Sequence, residues 1–256
     1  MFMSREQLES SSRIAARSCQ WGADKMLCSV LGRYKIAVPV MDLTMTPHLI
    51  FDGFWESWVT LAMSRVVRKG DVVAVVGANI GYYAVMFADL VGDSGHVRAF
   101  EADPKLASLC DENLFINGFS NRSTVVNIAI ASKSGKVKFM RPKPTAIGIG
   151  RVLPDDADAE EMAATTLDEA MSESLPDVVF TDAEGSDGSI LASSPRCRKS
   201  AGDWVLEWFP PNDKSPIQAA MVDGFKLNLV QFDGSTAPTS LDGIGSQAIQ
   251  TVHLRR

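Results

Sequence analysis

The order of apolar runs predicts alternating strands and helices in the middle of the chain. A short apolar run, Val72–Val76, is followed by Gly77-Ala-Asn-Ile-Gly81 and then by an apolar-rich segment of helical length, Tyr82–Leu90. A second apolar run, His96–Phe100, ends on the acid Glu101. This order predicts a βαβ unit with a nucleotide-type site at the ends of its strands.

The pattern before this unit is less regular. Arg5–Cys28 has helical composition, and we expect a helix that packs on the core or contacts a second copy in a homodimer; covering the substrate is the alternative role. Tyr34–Val40 and Thr44–Phe51 alternate enough to be accessory strands. Phe54–Arg68 carries apolar residues at i+3 and i+4 spacing, which predicts an amphipathic helix.

Strands and helices continue to alternate after the βαβ unit. A helix is predicted from Pro104 to Asn117, with Asp103 as its N-cap. Arg141–Glu161 is rich in proline, glycine and aspartate, and we expect a mobile loop that borders the active site. The further predicted strands are 125–131, 136–140, 175–182, 203–208, 226–231 and 247–254, and a further helix spans 216–223.

These elements together predict an α/β fold: a doubly wound, mostly parallel seven-stranded sheet of the Rossmann-like kind. We expect residues 1–51 to form a small N-terminal extension of one helix and accessory strands, and residues 52–256 to form the main domain. A chain of 256 residues with 46% hydrophobic content is long enough for a sizeable core.

Charge and cysteine content narrow the class of protein. The net charge of −6 and the pI of about 5.1 argue against nucleic acid as the main partner, because phosphate binding needs a basic surface. No apolar stretch is long enough to span a membrane, and no secretory leader is visible, so we expect a cytoplasmic protein. The four cysteines lack metal-ligand spacing, which favours reduced thiols over zinc.

The glycine loop favours one class of cofactor. Small residues at Gly77, Ala78 and Gly81 let the backbone turn sharply and approach a ligand, and free N–H groups of the following helix would point into the same space. Glu101, 20 residues beyond Gly81, could accept both hydroxyls of a ribose. The alternative is a tight turn without a ligand.

A dinucleotide site would need the fuller G-x-G-x-x-G motif, because a pyrophosphate must lie against the helix start. Only Gly77 and Gly81 are present here. A nicotinamide-dependent reductase is therefore the weakest hypothesis, and a cofactor without phosphates, such as S-adenosylmethionine, fits better.

The chain resembles the FkbM family of S-adenosylmethionine-dependent methyltransferases from about residue 52 to 207. The resemblance rests on Gly53-Phe-Trp-Glu56, Lys69-Gly-Asp71, Gly77-Ala-Asn-Ile-Gly-Tyr-Tyr83, Phe100-Glu-Ala-Asp-Pro104, Asn113–Asn117, Thr166-Leu-Asp-Glu169 and Asp182-Ala-Glu-Gly185. It implies the class I methyltransferase fold and transfer of a methyl group from S-adenosylmethionine to a hydroxyl of a sugar, a glycan or another small secondary metabolite.

The resemblance and the loop pattern together give a set of expected cofactor contacts. These are Glu56, Gly77, Ala78, Asn79, Gly81, Tyr82, Glu101, Ala102, Asn127 and Asp182. Glu101 would hold the ribose, Asn127 or a nearby backbone group would border the adenine, and Glu56 would either touch the cofactor or cap its helix.

Acids after the strand that ends at residue 182 are the candidates for catalysis. Asp182 and Glu184 lie two residues apart, and Asp187 follows on the turn. Such a group can act as a general base, position acceptor hydroxyls or hold a divalent cation, or it can simply cap a helix. We expect Asp182 and Glu184 to orient or deprotonate the acceptor, and we assign no metal ligand.

Three positions depart from the pattern of the family. Val75 stands where the family usually has an acid, Phe180 where it usually has a lysine, and Ala102 where it usually has a proline. The first two changes remove a contact to the methionine end of the cofactor and a cation from the site. They support an alternative reading, in which the chain is a catalytically weakened or inactive binding or partner protein with a methyltransferase fold.

Overall fold

The computed structural model describes residues 3–210, 213–245 and 248–256. The helices are α1 (Arg5–Ala15), α2 (Met45–Phe51), α3 (Ser57–Val66), α4 (Tyr82–Val91), α5 (Pro104–Ile116), α6 (Leu167–Ala170), α7 (Asp187–Ser193), α8 (Pro195–Ser200) and α9 (Ser215–Val222). The first strands are β1 (Ser18–Gln20), β2 (Lys25–Val30), β3 (Tyr34–Pro39), β4 (Val72–Val76), β5 (His96–Glu101), β6 (Ser123–Asn127), β7 (Ala129–Ile130) and β8 (Gly135–Met140). The remaining strands are β9 (Arg151–Leu153), β10 (Glu160–Thr165), β11 (Val178–Thr181), β12 (Asp203–Trp208), β13 (Lys226–Val230), β14 (Thr236–Pro238) and β15 (Gln250–Arg255).

The central sheet has the order β14-β13-β15-β12-β11-β4-β5-β6. Strands β12, β11, β4, β5 and β6 are parallel, while β15 and β13 form the antiparallel pair predicted at the end of the chain. The seven predicted strands are therefore present, although the predicted start of the last one, Gln247, lies outside the described residues. The short strand β14 adds an eighth at the edge.

Apolar side chains cover both faces of this sheet, as a doubly wound fold requires. One face packs on α3, α4, α5 and the strands β2 and β3, and the other on α6 to α9. Trp204 and Trp208, on β12, are fully buried on the second face. The parallel strands thereby bring their carboxyl ends to one edge, next to the loops that follow β4, β5, β11 and β12.

The segment Thr44–Phe51, expected as a strand, is instead the helix α2 with its preceding turn. The carboxylate of the buried Asp42 accepts hydrogen bonds from the backbone N–H groups of Thr44, Met45 and Thr46. This capping satisfies the first donors of the helix, and it overrides the weak alternation in the sequence.

The predicted helix Arg5–Cys28 is also shorter than expected, because α1 ends at Ala15. Residues 18–20 and 25–30 form strands that pair with β3 in a three-stranded antiparallel sheet. Asn113 of α5 accepts a hydrogen bond from the N–H of Ala37 and donates to its carbonyl, so the accessory sheet is fixed to the βαβ unit. Long-range pairing of this kind leaves no local signal in composition.

A second small sheet follows β6, with the order β7-β10-β8-β9. The predicted strand Lys136–Met140 lies here as β8, away from the central sheet, and it pairs with β10 and β9. The predicted loop Arg141–Glu161 contains β9 and the start of β10, so it is more ordered than expected. Among the residues that the structure describes, no helix combines the length and hydropathy needed to cross a bilayer.

Candidate active site

The loop after β4 lies against the end of β11. Gly77 has a φ of +75°, and a Cβ atom at this position would lie 1.8 Å from the carbonyl oxygen of Asp182. Gly81 has a φ of +88°, and its Cβ would meet the Cys110 Sγ at 2.8 Å. The two glycines are therefore required by backbone conformation and by close packing, which joins the loop to both β11 and α5.

The N–H groups of this loop are bound within the protein. Gly77 and Ala78 both donate to the carbonyl of Phe100, each at 3.0 Å, and Gly81 donates to the carbonyl of Ala78 at 2.8 Å. Asn79 donates from its backbone to Glu101 Oε2 at 2.8 Å. The loop thus offers shape without the donors that a pyrophosphate needs, and the free N–H groups expected at the start of the following helix stay a prediction.

Glu101 ends β5 beside this loop and is only 7% exposed. Its Oε2 accepts the N–H of Asn79, and its Oε1 accepts the N–H of Asp103 at 2.8 Å. Burial raises the pKa of Glu101 to about 7, although these two N–H donors favour the charged form. The carboxylate is therefore fixed in position, and its protonation changes near neutral pH.

A cavity of about 200 Å³ opens beside the loop and Glu101, and we call it the central cavity. Its lining includes seven of the ten expected cofactor contacts, together with Glu184: Glu56, Gly77, Ala78, Asn79, Tyr82, Glu101 and Asp182. A small cavity of about 50 Å³ adjoins it on the β5–β6 side and is lined by Ala102, Ile128 and Phe139, among others. The two cavities share Gly77, Glu101, Gly150 and Asp182.

Two expected contacts lie apart from the central cavity. Ala102 lines the small cavity, and Asn127 donates from its side-chain amide to the carbonyls of Glu101 and Ala102, both at 2.8 Å. Asn127 therefore stabilises the turn after β5. Gly81, the remaining expected contact, acts through backbone geometry at the start of α4.

The expected catalytic acids lie together with a third carboxylate. Carboxylate oxygens of Asp182, Glu184 and Glu207 all lie within 4.8 Å of one another. Asp182 follows β11 and Glu207 belongs to β12, and these strands pair in parallel with Thr181 opposite Leu206. Neighbouring carboxyl ends thus bring the acids to one point, where a general base, a hydroxyl-binding group or a divalent cation could be placed.

Burial and like charge keep protons on this cluster. Burial and the neighbouring Glu207 carboxylate raise the pKa of Asp182 well above its ordinary value, and burial also raises the pKa of Glu207. Burial raises the pKa of Glu184 to about 7, with Asp187 adding to the effect. Asp182 and Glu207 therefore titrate as a pair that retains a proton at neutral pH.

Asp187 stabilises the turn that carries Asp182 and Glu184. It begins α7, is fully buried, and accepts the N–H of Ala183 at 3.2 Å. Burial raises its pKa to about 6. The carboxylate of Asp187 thus fixes the turn that carries Asp182 and Glu184, which matches the helix-start role weighed as the alternative for these acids.

Glu56 lies opposite this cluster, just before α3. It has a φ of 38° and occupies the N-cap position of α3, where its carbonyl accepts the N–H of Thr60 at 2.9 Å, but its side chain makes no cap hydrogen bond. Its Oε2 accepts a hydrogen bond from the Tyr83 hydroxyl at 2.9 Å, and burial raises the pKa of Glu56. Tyr82, which also lines the cavity, has its hydroxyl 3.0 Å from Thr60 Oγ1. Two tyrosines at the start of α4 therefore connect α3 to the cavity wall.

Two of the residues that depart from the family pattern, Val75 and Phe180, are neighbours in the structure. Val75 and Phe180 lie opposite each other on β4 and β11, and they are 1% and 4% exposed. The ring of Phe180 lies 4.6 Å from that of Tyr83 and 5.7 Å from that of Phe87. Both side chains belong to the apolar core below the acids, so no cation is supplied to the carboxylates from these positions.

Segments outside the βαβ unit cover the central cavity. Ile147 and Gly150, from the predicted loop, line it together with Thr44 and Met45 from the N-terminal region. Asp42 links these two segments, because its Oδ1 also accepts a hydrogen bond from the N–H of Ile147 at 3.3 Å. The prediction that residues 141–161 border the site is thus confirmed, whereas the part played by residues 42–45 had no signal in the sequence.

Arg141 ties the same loop to the βαβ unit. Its guanidinium donates to Asp103 Oδ2 at 3.0 Å and to Glu160 at 2.5 Å and 2.9 Å. Asp103 is the N-cap of α5, as predicted, since its Oδ1 accepts from Lys105 and Leu106. The arginine therefore anchors the start of the covering loop next to Glu101.

Glu207 is the functional candidate that sequence reasoning passed over. It lies one residue before the end of the predicted strand 203–208, and it lines the central cavity beside Asp182. An acid at the carboxyl end of a parallel strand was the available signal. What the sequence lacked was the strand order that makes β11 and β12 neighbours.

Comparison with known proteins places this architecture in a family. The model of the Methyltransferase FkbM domain matches residues 76–210, which is more than half of the chain. A protein-L-isoaspartate O-methyltransferase from Ignicoccus hospitalis is 42% identical over 60 residues, which cover 23% of this chain. The chain spans only 28% of the length of that relative.

A solved structure that aligns over most of the chain supports the fold. A transferase from Pyrococcus horikoshii aligns with a TM-score of 0.51 at 12% identity, over 91% of this chain and 72% of that one. The methyltransferase FkbM from Methylobacillus flagellatus aligns with a TM-score of 0.48 at 12% identity, over 72% and 43% of the two chains. The chain belongs to the FkbM methyltransferase family and has the fold of the class I S-adenosylmethionine-dependent methyltransferases.

Proposed function

We propose that the protein transfers the methyl group of S-adenosylmethionine to a hydroxyl oxygen of a sugar, a glycan or another small secondary metabolite. The observation that carries this proposal is the position of Glu101: a buried carboxylate at the end of β5, beside the Gly77–Gly81 loop, facing a cavity that has Asp182 and Glu207 elsewhere in its wall. The matched stretch of an O-methyltransferase supports oxygen as the acceptor atom.

The residues fit an adenosine moiety and do not fit a pyrophosphate. Glu101 has two oxygens at the cavity wall that can accept the hydroxyls of a ribose, and Ile128 and Phe139, from the adjoining small cavity, offer apolar contacts for one edge of a purine. The loop N–H groups are already bound within the protein, which suits a nucleoside without phosphates. Gly77, Ala78 and Asn79 would then form the floor of the cofactor site.

When bound, S-adenosylmethionine supplies an electrophilic methyl group on a positively charged sulfur. Methyl transfer is an in-line displacement, so the acceptor oxygen must be held behind that methyl and must lose its proton. The pair Asp182 and Glu207 is positioned to accept this proton, with Glu184 orienting the acceptor. Five acids line the central cavity, and those that are ionised favour a positive sulfur, because opposite charges attract strongly in a partly buried site.

Binding of the cofactor tests this proposal, measured by calorimetry with S-adenosylmethionine. We expect Glu101→Gln to weaken binding by at least tenfold, because it removes one acceptor oxygen and the charge that the ribose hydroxyls would meet. Glu173→Gln, at a carboxylate that is 84% exposed, is the matched control and should bind as the wild type does. Absence of binding to the wild type, or equal binding to Glu101→Gln, would overturn the proposal.

One observation supports a second candidate, a methyltransferase-fold binding protein with weakened or no catalysis. Val75 and Phe180 are apolar and buried, so position 75 offers no polar contact to the methionine end of the cofactor and position 180 offers no cation to the acids. This candidate predicts that the protein binds S-adenosylmethionine but transfers no radiolabelled methyl group to glycan or metabolite extracts. Labelled product from these extracts would exclude it.

A further inference from the structure

A third cavity, of about 420 Å³, lies next to the acids on the side away from the glycine loop, and we call it the distal cavity. It is formed by α3, β13 with its following turn, and β15. It shares only Glu56 and Glu207 with the central cavity. Glu56 and Glu207 thus lie between the central cavity, beside the glycine loop, and the distal cavity, which no residue of that loop lines.

The distal cavity has its own chemical character. Its described walls combine the aromatic rings of Trp58 and Phe232 with the uncharged polar side chains of Gln231, Gln250 and Thr251. The residues described as lining the central and distal cavities include acids but no lysine or arginine, and Arg151, which lines the small cavity, is the cation whose charge reaches Glu184. A carboxylate or phosphate at the position of the methyl transfer would meet Asp182, Glu184 and Glu207 with no lysine or arginine in the lining to pair with it.

Arg5, on the N-terminal helix α1, contacts the two aromatic side chains of the distal cavity. The rings of Trp58 and Phe232 lie 5.3 Å apart between centroids, and the guanidinium of Arg5 lies 5.4 Å and 5.7 Å from them. Arg5 also donates to the carbonyl of Phe232 at 3.0 Å and to Ser57 Oγ at 3.0 Å, and Glu9 pairs with it at 2.6 Å. Arg5 is therefore occupied in positioning the wall, and Glu9 offsets its charge.

We infer that the distal cavity is the acceptor site. It takes a saccharide unit, which is a neutral, hydroxyl-rich molecule with one apolar face, and it rejects acceptors that carry a carboxylate. The apolar face would pack on Phe232 and Trp58, and the glutamines would meet hydroxyls. One hydroxyl would reach past Glu56 and Glu207 toward the central cavity. The volume is within the range of small-molecule sites.

This inference rests on the proposed function, and it separates the protein from carboxyl methylation. The relative matched over 60 residues is named for an isoaspartyl substrate, whose acceptor group is a carboxylate. In this chain the acceptor would lie against Glu207 and Glu56, near Asp182, and the expected acceptor is therefore a hydroxyl oxygen. The proton of that hydroxyl passes to the Asp182–Glu207 pair while the new carbon–oxygen bond forms and the carbon–sulfur bond breaks.

Saturation-transfer NMR on the full chain with S-adenosylhomocysteine present tests the inference. The neutral probes are methyl glycosides of glucose, galactose, rhamnose and fucose, and the charged probes are methyl glucuronide, methyl galacturonide and an isoaspartyl tripeptide. We expect saturation of at least one neutral glycoside and none of the charged probes at equal concentration. Saturation of no neutral glycoside, or of charged probes equally, would overturn the inference.

A pair of variants locates the binding. Phe232→Ala should lower the saturation of the bound glycoside at least fivefold, because its ring forms part of the cavity wall. Phe115→Ala is the matched control, since Phe115 is 71% exposed and Phe232 72% exposed, and it should leave the signal unchanged. An unchanged signal in Phe232→Ala would place the acceptor elsewhere.

Calorimetry with S-adenosylmethionine on the same samples distinguishes the two proposals. If the wild type and Phe232→Ala both bind the cofactor but no glycoside is saturated, the acceptor inference is wrong and the proposed function stands. If the wild type does not bind the cofactor, the proposed function itself fails.

Discussion

At the scale of single residues, Gly77 shows how one position joins two strands of the site. Its positive φ and the contact with the Asp182 carbonyl make any side chain unfavourable there. Gly118 has the same φ of +75°, but a Cβ there would meet nothing within 4 Å. The two glycines therefore separate the effect of backbone conformation from that of close packing.

We expect Gly118→Ala to lower the free energy of unfolding by roughly 1–2 kcal/mol, the usual cost of a left-handed backbone for a residue with a Cβ atom. Gly77→Ala should cost a further ~2 kcal/mol, because the new methyl group displaces the end of β11. Urea denaturation followed by circular dichroism measures both. Equal losses for the two variants would show that the contact with Asp182 carries no strain.

Site residues that are defined by their neighbours in the chain could be predicted from the sequence. Gly77, Gly81, Glu101 and the N-cap Asp103 are each recognisable from their neighbours in the chain, and the structure brings Gly77 and Glu101 to one cavity. Glu207 depended on strand order, which no short motif encodes. The covering residues Thr44 and Met45 were missed because they come from a helix that the sequence pattern read as a strand.

At the scale of elements, the pairing of β4 with β11 determines what the departures from the family pattern mean. Val75 lies directly opposite Phe180, and both contribute to the core below the acid cluster. An acid at position 75 would be buried without a partner, and so would a lysine at position 180. The two apolar residues therefore stabilise each other, and either family residue alone would be unfavourable.

A double-mutant cycle tests this pairing. Val75→Asp should lower the free energy of unfolding by about 3 kcal/mol or more, because it leaves an unpaired buried charge. Combined with Phe180→Lys, the loss should be smaller than the sum of the single losses by about 1–3 kcal/mol. Urea denaturation measures the free energy of unfolding of each variant in the cycle. If Val75→Asp alone does not fold, a double variant that does fold also shows coupling.

The control for this cycle replaces Val75→Asp with Val75→Asn, which has a similar shape but no charge. It should show little coupling to Phe180→Lys. Strict additivity in the charged cycle would contradict the assignment of positions 75 and 180 as interacting neighbours.

At the scale of the whole molecule, a cluster of buried acids makes stability depend on pH. Burial raises the pKa values of Glu101 and Glu184 to about 7 and that of Asp187 to about 6. In the unfolded chain these groups lose their protons near pH 4, so the folded state binds more protons between pH 5 and 7. Their contribution to stability is complete below about pH 4 and is lost as the pH rises through 6 to 7.

We therefore expect the Tm of the ligand-free protein to fall between pH 5 and pH 8, as measured by scanning calorimetry. His96, whose pKa is lowered by burial, opposes this trend, but it is one group against several acids, since burial also raises the pKa values of Glu56, Asp182 and Glu207. Glu101→Gln should flatten the dependence, because it removes one of the titrating groups. A Tm that rises over this interval would contradict the raised pKa values of the site.

The overall architecture followed from the sequence because a doubly wound sheet leaves a strong pattern: apolar strands that alternate with helices. All seven predicted central strands were found, and β14, which has three residues, is too short to produce a pattern. The sheet β7-β10-β8-β9 and the accessory sheet β1-β2-β3 were not predicted in full, because antiparallel pairing between distant short strands depends on tertiary contacts.

The central claim is that the cavity beside the glycine loop holds the adenosine part of S-adenosylmethionine, with Glu101 on the ribose. A crystal structure of the protein with S-adenosylhomocysteine tests it directly. We predict both ribose hydroxyls within hydrogen-bond distance of the Glu101 carboxylate, the purine with one edge toward Ile128 of the small cavity, and the sulfur facing Asp182 and Glu207. A nucleoside bound elsewhere, or a ribose that makes no contact with Glu101, would contradict the account.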